Sequence, residues 1–176
     1  MEKLQQNYDV DIHWRSFELR PAGSPPITPQ HLVQIEASRP RFEQMAREQY
    51  GLEVHSGPFG IDSRLALIAD KYAESQGKGA TFHKAVMNAY WQEAQDISDI
   101  NVLKGIADNV GLNTEQFETA LQDPQFDAEV SADVQLAHEY GLNGVPALIF
   151  AEKYLVSGAQ PYELLKQVVE KVQEEE

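Results

Sequence analysis

Apolar positions recur along most of this chain at the three- and four-residue spacing of an amphipathic helix, and two stretches break that rhythm. The first is "DVDIHWRSFEL" (9–19), where Val10, Ile12, Trp14 and Ser16 share one face of an alternating pattern. Period two with β-branched and aromatic residues predicts a strand. The second lies near the other end, where "ALIF" opens a short apolar run. It predicts a buried strand over 147–151, a tight turn at Glu152-Lys153 and a second short strand over 154–157.

Everything between reads as helices in series. Residues 1–7 look like the tail of a helix, and "RPAGSPP" (20–26) is a loop. Thr28-Pro29 is an N-cap with proline at the first helical position, and the helix carries Leu32 and Ile35. A break near Ser38-Arg39 is expected ahead of Pro40, then a second helix with Phe42 and Met45 up to Tyr50 and Gly51. Asp62 caps a helix with Leu65, Ile68 and Tyr72 on one face, ended by Gly77, and Phe82, Val86, Ala89 and Tyr90 mark the next. Asp99 caps a helix with Leu103, Ile106 and Val110, stopped by Gly111. Asn113 with Gln116 resembles a capping box, and Leu112 with Phe117 fits a hydrophobic staple. Asp123-Pro124 starts a helix with Val130, Val134 and Ala137, and Pro161 opens the last one, with Leu165, Val168, Val169 and Val172. Strand, many helices, a strand hairpin and a helix make an α/β chain with a helical insertion.

Composition narrows the function. Fourteen Lys and Arg against 28 Asp and Glu leave a net charge of −14. Such a chain is poorly suited to a phosphate backbone or an anionic membrane, so neither nucleic acid nor membrane is an expected partner. No apolar run approaches the ~20 residues of a membrane helix. "MEKLQQNYDV" has no signal-peptide core, and the expected location is cytoplasmic. The chain has no cysteine, which removes thiolate catalysis, disulfides and cysteine-ligated metals together.

Candidate chemistry is sparse. His13, His31, His55, His83 and His138 form no H-E-x-x-H pattern and no i, i+4 pair, so no metal site is expected. "DISDIN" (96–101) reads as a loop and the Asp99 cap. "GKGATFHK" (77–84) lacks G-x-x-x-x-G-K-[ST], and no G-x-S-x-G elbow exists. Ser157-Gly158 reads as a turn, and the aromatic residues of "AYW" (89–91) as core or groove wall. Periodicity and composition reach an acidic α/β domain with no visible nucleophile. One oddity remains in "GLNGVPALIF" (141–150): Pro146 opens a strand, although proline cannot donate a ladder hydrogen bond.

That stretch, with "YLVSGAQPYELL" (154–165), resembles the C-terminal half of the DsbA-like thioredoxin-fold proteins, in their FrnE-like branch. "WRSFELRP" (14–21) is similar to the family's second strand, and "YWQEAQDISDINVLKGIADNVGL" (90–112) to its helical insertion. The resemblance covers nearly the whole chain. It implies one DsbA-like domain over 1–176, with thioredoxin-like parts at 1–26 and 142–176 and an insertion over about 27–141. It implies a cis bond at Val145-Pro146, and a substrate-binding role for Gly144, Val145 and Pro146, where an extended peptide pairs with the backbone before the proline. The implied partners are protein or peptide thiols and disulfides. No cofactor and no metal is implied.

The chain departs from the family at its catalytic positions. Relatives open with a strand and then place C-x-x-C at a helix start, where the helix end lowers the first thiol's pKa. Here Met1-Glu2-Lys3-Leu4 matches the late part of that helix, and no residue can take the catalytic roles. The absent strand would lie between 10–18 and 147–151. The gap is expected either to close internally or to be covered by a homodimer at the open sheet edge. Three readings follow. The chain is a shortened thiol–disulfide oxidoreductase; or it is a cysteine-free module that binds peptides at the proline groove; or it stands nearer the 2-hydroxychromene-2-carboxylate isomerases and kappa-class glutathione transferases.

Overall fold

The structure, a computed structural model, describes residues 1–175. The described residues form eight helices and two strands: α1 (Glu2–Asn7), α2 (Pro29–Tyr50), α3 (Arg64–Ser75), α4 (Gly79–Trp91), α5 (Ile100–Asn109), α6 (Thr114–Ala120), α7 (Pro124–Glu139), β1 (Ala147–Phe150), β2 (Tyr154–Ser157) and α8 (Tyr162–Glu174). They divide into two compact units, 1–17 with 132–176, and 18–131. The 18–131 unit overlaps most of the insertion expected over about 27–141.

The 18–131 unit is helical. Helix starts follow the polar caps: Thr28 accepts the His31 N–H, Asp99 the Asn101 N–H at 2.8 Å and Asn113 the Gln116 N–H at 2.9 Å. Helix α3 packs on α4, α5 and α6. Their apolar stripes meet around Phe82, Leu103, Phe117 and Val130, all but fully buried. Each such side chain contributes roughly 1.5–3 kcal/mol by leaving water. Tyr72 sets its ring edge against Phe117 and Phe126 at centroid distances of 5.9 and 5.7 Å, an arrangement that the ring quadrupoles favour. Arg64 at the start of α3 donates to Glu18, to the Asp127 side chain and backbone, and to the Ser131 hydroxyl, which fixes residue 18 and early α7 to one side chain.

Helix α2 corrects one expectation: no break occurs at Ser38-Arg39, and Pro40 lies inside a continuous helix. Proline at 40 deletes one i→i−4 bond, to the Glu36 carbonyl. Glu36 and Pro40 are exposed, so water can take that acceptor's place. The helix also has little to pack against, with Ala46 its one buried residue.

In the other unit, α1 lies on α8, with Leu4 and Val169 buried between them. β1 and β2 form an antiparallel hairpin in the register Ala147↔Ser157, Leu148↔Val156, Ile149↔Leu155 and Phe150↔Tyr154. Its turn centres on Ala151 and Glu152, one residue before the expected Glu152-Lys153. Both have positive φ, 47° and 56°, and the Lys153 N–H returns to the Phe150 carbonyl at 2.9 Å. That pattern is a type I′ turn, which twists with the strands but here has neither Asn nor Gly to announce it.

The strand expected over 9–19 does not form: residues 8–18 make no ladder. Alternation sorts faces but does not supply a neighbouring strand, and the sheet among the described residues has two strands. The segment is held through a side chain instead. Asp133, 5% exposed on α7, accepts the Ser16 N–H at 2.9 Å and an Arg15 N–H at 3.1 Å. The internal closure of the sheet gap, one of the two expected outcomes, is therefore not made by this segment.

Candidate substrate-binding loop

Helix α7 ends at Glu139, and Gly141 beyond it has a φ of 67° that lets the chain reverse while its N–H bonds the His138 carbonyl and the Leu142 N–H bonds that of Ala137. Residues 143–146 then lead into β1. The Val145-Pro146 peptide bond is cis. Val145 is 54% exposed, and Pro146 is exposed beside it. The Pro146 carbonyl accepts the Gly158 N–H at 2.8 Å, which continues the β1–β2 register one step beyond the strands. The Gln160 amide donates to the Ser157 carbonyl at 3.0 Å, so Ser157-Gly158 serves as the turn that backs the loop.

This register decides which backbone groups remain available. Hydrogen-bonded and non-bonded pairs alternate in an antiparallel ladder. With Pro146/Gly158 a bonded pair, Leu148 and Phe150 also face β2, whereas Ala147 and Ile149 turn their N–H and C=O groups to the opposite edge. Among the described residues no hydrogen bond reaches the Val145 backbone. Half-buried Gly144 and exposed Val145 and Pro146 thus form a loop continuous with an open strand edge.

No group of this loop is a nucleophile, and the sequence contains no thiol. His13 is exposed and pairs with Asp11 at 3.3 Å, while His83 lies 3.2 Å from Asp70 in the other unit. No three metal-ligating side chains converge among the described residues. Tyr8, at the end of α1, donates to Glu170 on α8 at 2.8 Å. Desolvation, and then that hydrogen bond to a carboxylate, push its pKa from 10.0 up to about 12. Sequence reasoning missed the Asp133 anchor, since nothing separates this aspartate from the solvated carboxylates of α7.

The profile of the DSBA-like thioredoxin domain family matches residues 1–170. The protein YwbO of Bacillus subtilis (strain 168) is 28% identical over 165 residues, which covers 90% of this chain and 80% of YwbO. Among solved structures, the probable DsbA oxidoreductase SCO1869 from Streptomyces coelicolor superposes with a TM-score of 0.84 at 24% identity, over 99% of this chain and 82% of that one. A 2-hydroxychromene-2-carboxylate isomerase superposes with a TM-score of 0.79 at 20% identity, over 99% of this chain and 87% of its own. At these identities the two structures establish a shared thioredoxin-like fold.

Proposed function

Since the chain belongs to the DsbA-like thioredoxin domain family, we propose that it takes part in thiol–disulfide exchange with protein substrates, as the part that holds the substrate. The observation that carries this reading is the Gly144-Val145-Pro146 loop, exposed at Val145 and Pro146, running into the free edge of β1. An extended substrate segment would pair with the Val145 backbone and place its disulfide beside the loop. The exchange itself needs a thiolate to attack a disulfide sulfur and a thiolate to leave. These 176 residues hold neither, so the attacking thiol must come from outside them. A second copy of the chain is proposed to cover the β1 edge when no substrate does. A cytoplasmic location suits a chain without a single disulfide.

The absence of cysteine favours a second reading, in which the same loop binds peptides without redox chemistry. One measurement separates the two: the intact mass of the protein from its native cells, before and after thiol alkylation. The oxidoreductase reading expects a mass above 19.8 kDa and a gain of two alkyl groups. A mass of 19.8 kDa with no gain rejects it and leaves peptide binding.

A further inference from the structure

The two faces of the β1–β2 hairpin differ. Leu148, Phe150, Tyr154 and Val156 share one face and are half-buried, and α8 packs on β1. Ala147, Ile149, Leu155 and Ser157 share the other. There Ile149 is 37% and Leu155 51% exposed, and the two stand directly opposite each other. A hairpin with one covered face ordinarily places polar residues on its solvent side. This pair is aliphatic on both strands, although strand propensity would be met as well by threonine.

The position of the pair adds to this. In the hairpin register Ile149 and Leu155 are a non-hydrogen-bonded pair, the kind whose side chains approach most closely. The same register turns the Ile149 N–H and C=O to the open edge of β1. An extended segment that takes those hydrogen bonds sets one of its residues directly opposite Ile149, with its side chain on the same face of the sheet. That side chain becomes the third member of a row that starts at Leu155 and passes through Ile149. Two positions along, the corresponding row holds Ser157 and Ala147, which offer little apolar surface. The edge therefore has one register position with an apolar row to extend and a neighbouring one without.

We propose that Ile149 and Leu155 set the specificity of this edge: the segment bound along β1 carries a large aliphatic or aromatic side chain opposite Ile149. The inference rests on the substrate-binding reading above and adds which side chain the substrate supplies. Backbone hydrogen bonds hold any extended chain, whereas the row favours only an apolar residue, through area removed from water and the cross-strand contact. A small polar residue at that point leaves the end of the row in water.

The test compares two peptides, Lys-Thr-Thr-Ser-Leu-Ser-Thr-Thr-Lys and the same chain with serine in place of leucine, titrated into the isotope-labelled protein and followed by NMR. Their charges are equal, so attraction to the acidic chain cancels in the comparison, as does competition from a second copy at the edge. The expected result is saturable shifts at Ala147 and Ile149 with both peptides, the leucine peptide binding about threefold tighter or more. Two variants locate the preference: Ile149→Thr, which keeps a β-branched strand former, and Leu155→Thr, on the strand away from the edge. In both, the serine peptide should bind as it does to the wild type and the preference should shrink towards unity. Equal affinity of the two peptides for the wild type overturns the specificity and leaves backbone pairing intact. A preference that survives both substitutions overturns it too, since the selecting surface then lies elsewhere. Absence of saturable shifts with either peptide removes the substrate-binding reading itself, and the specificity with it.

Discussion

Tyr8 shows how a single residue couples two distant parts of the chain. Its phenol donates to Glu170, 162 positions away, and joins α1 to α8. Only the protonated phenol can make that bond. With the pKa raised from 10.0 to about 12, the native state holds the proton more tightly than the unfolded chain does. The associated stability is complete below pH 10 and is lost as pH rises from there to about 12. Thermal unfolding across this window should show a drop in Tm for the wild type that Tyr8→Phe lacks, and the tyrosinate absorbance of the wild type should include a late-titrating component that is lost in Tyr8→Phe. A parallel fall in both proteins would show that the bond does not control the response. Asp133 works at the same scale: one buried carboxylate fixes a segment that no ladder holds.

At the scale of elements, the helices were legible because caps and stripes are local. Asp99, Asn113 and Thr28 each sit where a side-chain oxygen can take an orphan N–H of the following turn. Helix α2 was misjudged because a proline's effect depends on what its neighbours can tolerate. An exposed helix loses one hydrogen bond to water and continues; a buried one would break. The missing bond should still register. Pro40→Ala should stabilise α2 locally by roughly 1–3 kcal/mol, seen as slower amide exchange around residues 36–44. Because α2 has one buried residue, global stability should rise by less. Unchanged exchange there would show that α2 is not limited by its proline.

At the scale of the whole molecule, the unfilled side of β1 is the controlling feature. Its Ala147 and Ile149 backbone groups face away from β2, and an open edge of this kind pairs readily with another chain. In solution the chain should run at about twice its 19.8 kDa mass by light scattering. Ile149→Lys, a charge on the edge, should shift it towards monomer without loss of helical circular dichroism. A wild type that stays at 19.8 kDa as concentration rises would mean that nothing pairs there. The expected strand over 9–19 belongs to the same scale. Its alternation is real, but a strand is a relation between two segments, and the second is not among the described residues.

What the sequence determined by itself was local or compositional: the helices with their caps, the β1–β2 hairpin, the missing nucleophile and, through "GLNGVPALIF" and "SGAQP", the DsbA-like family. Those features need only neighbours within a few positions, or a motif carried whole. Tertiary structure alone decided the state of residues 9–18 and the burial of Asp133. Each of these depends on which distant segment comes to lie opposite, and that is set by packing rather than by any pattern along the chain.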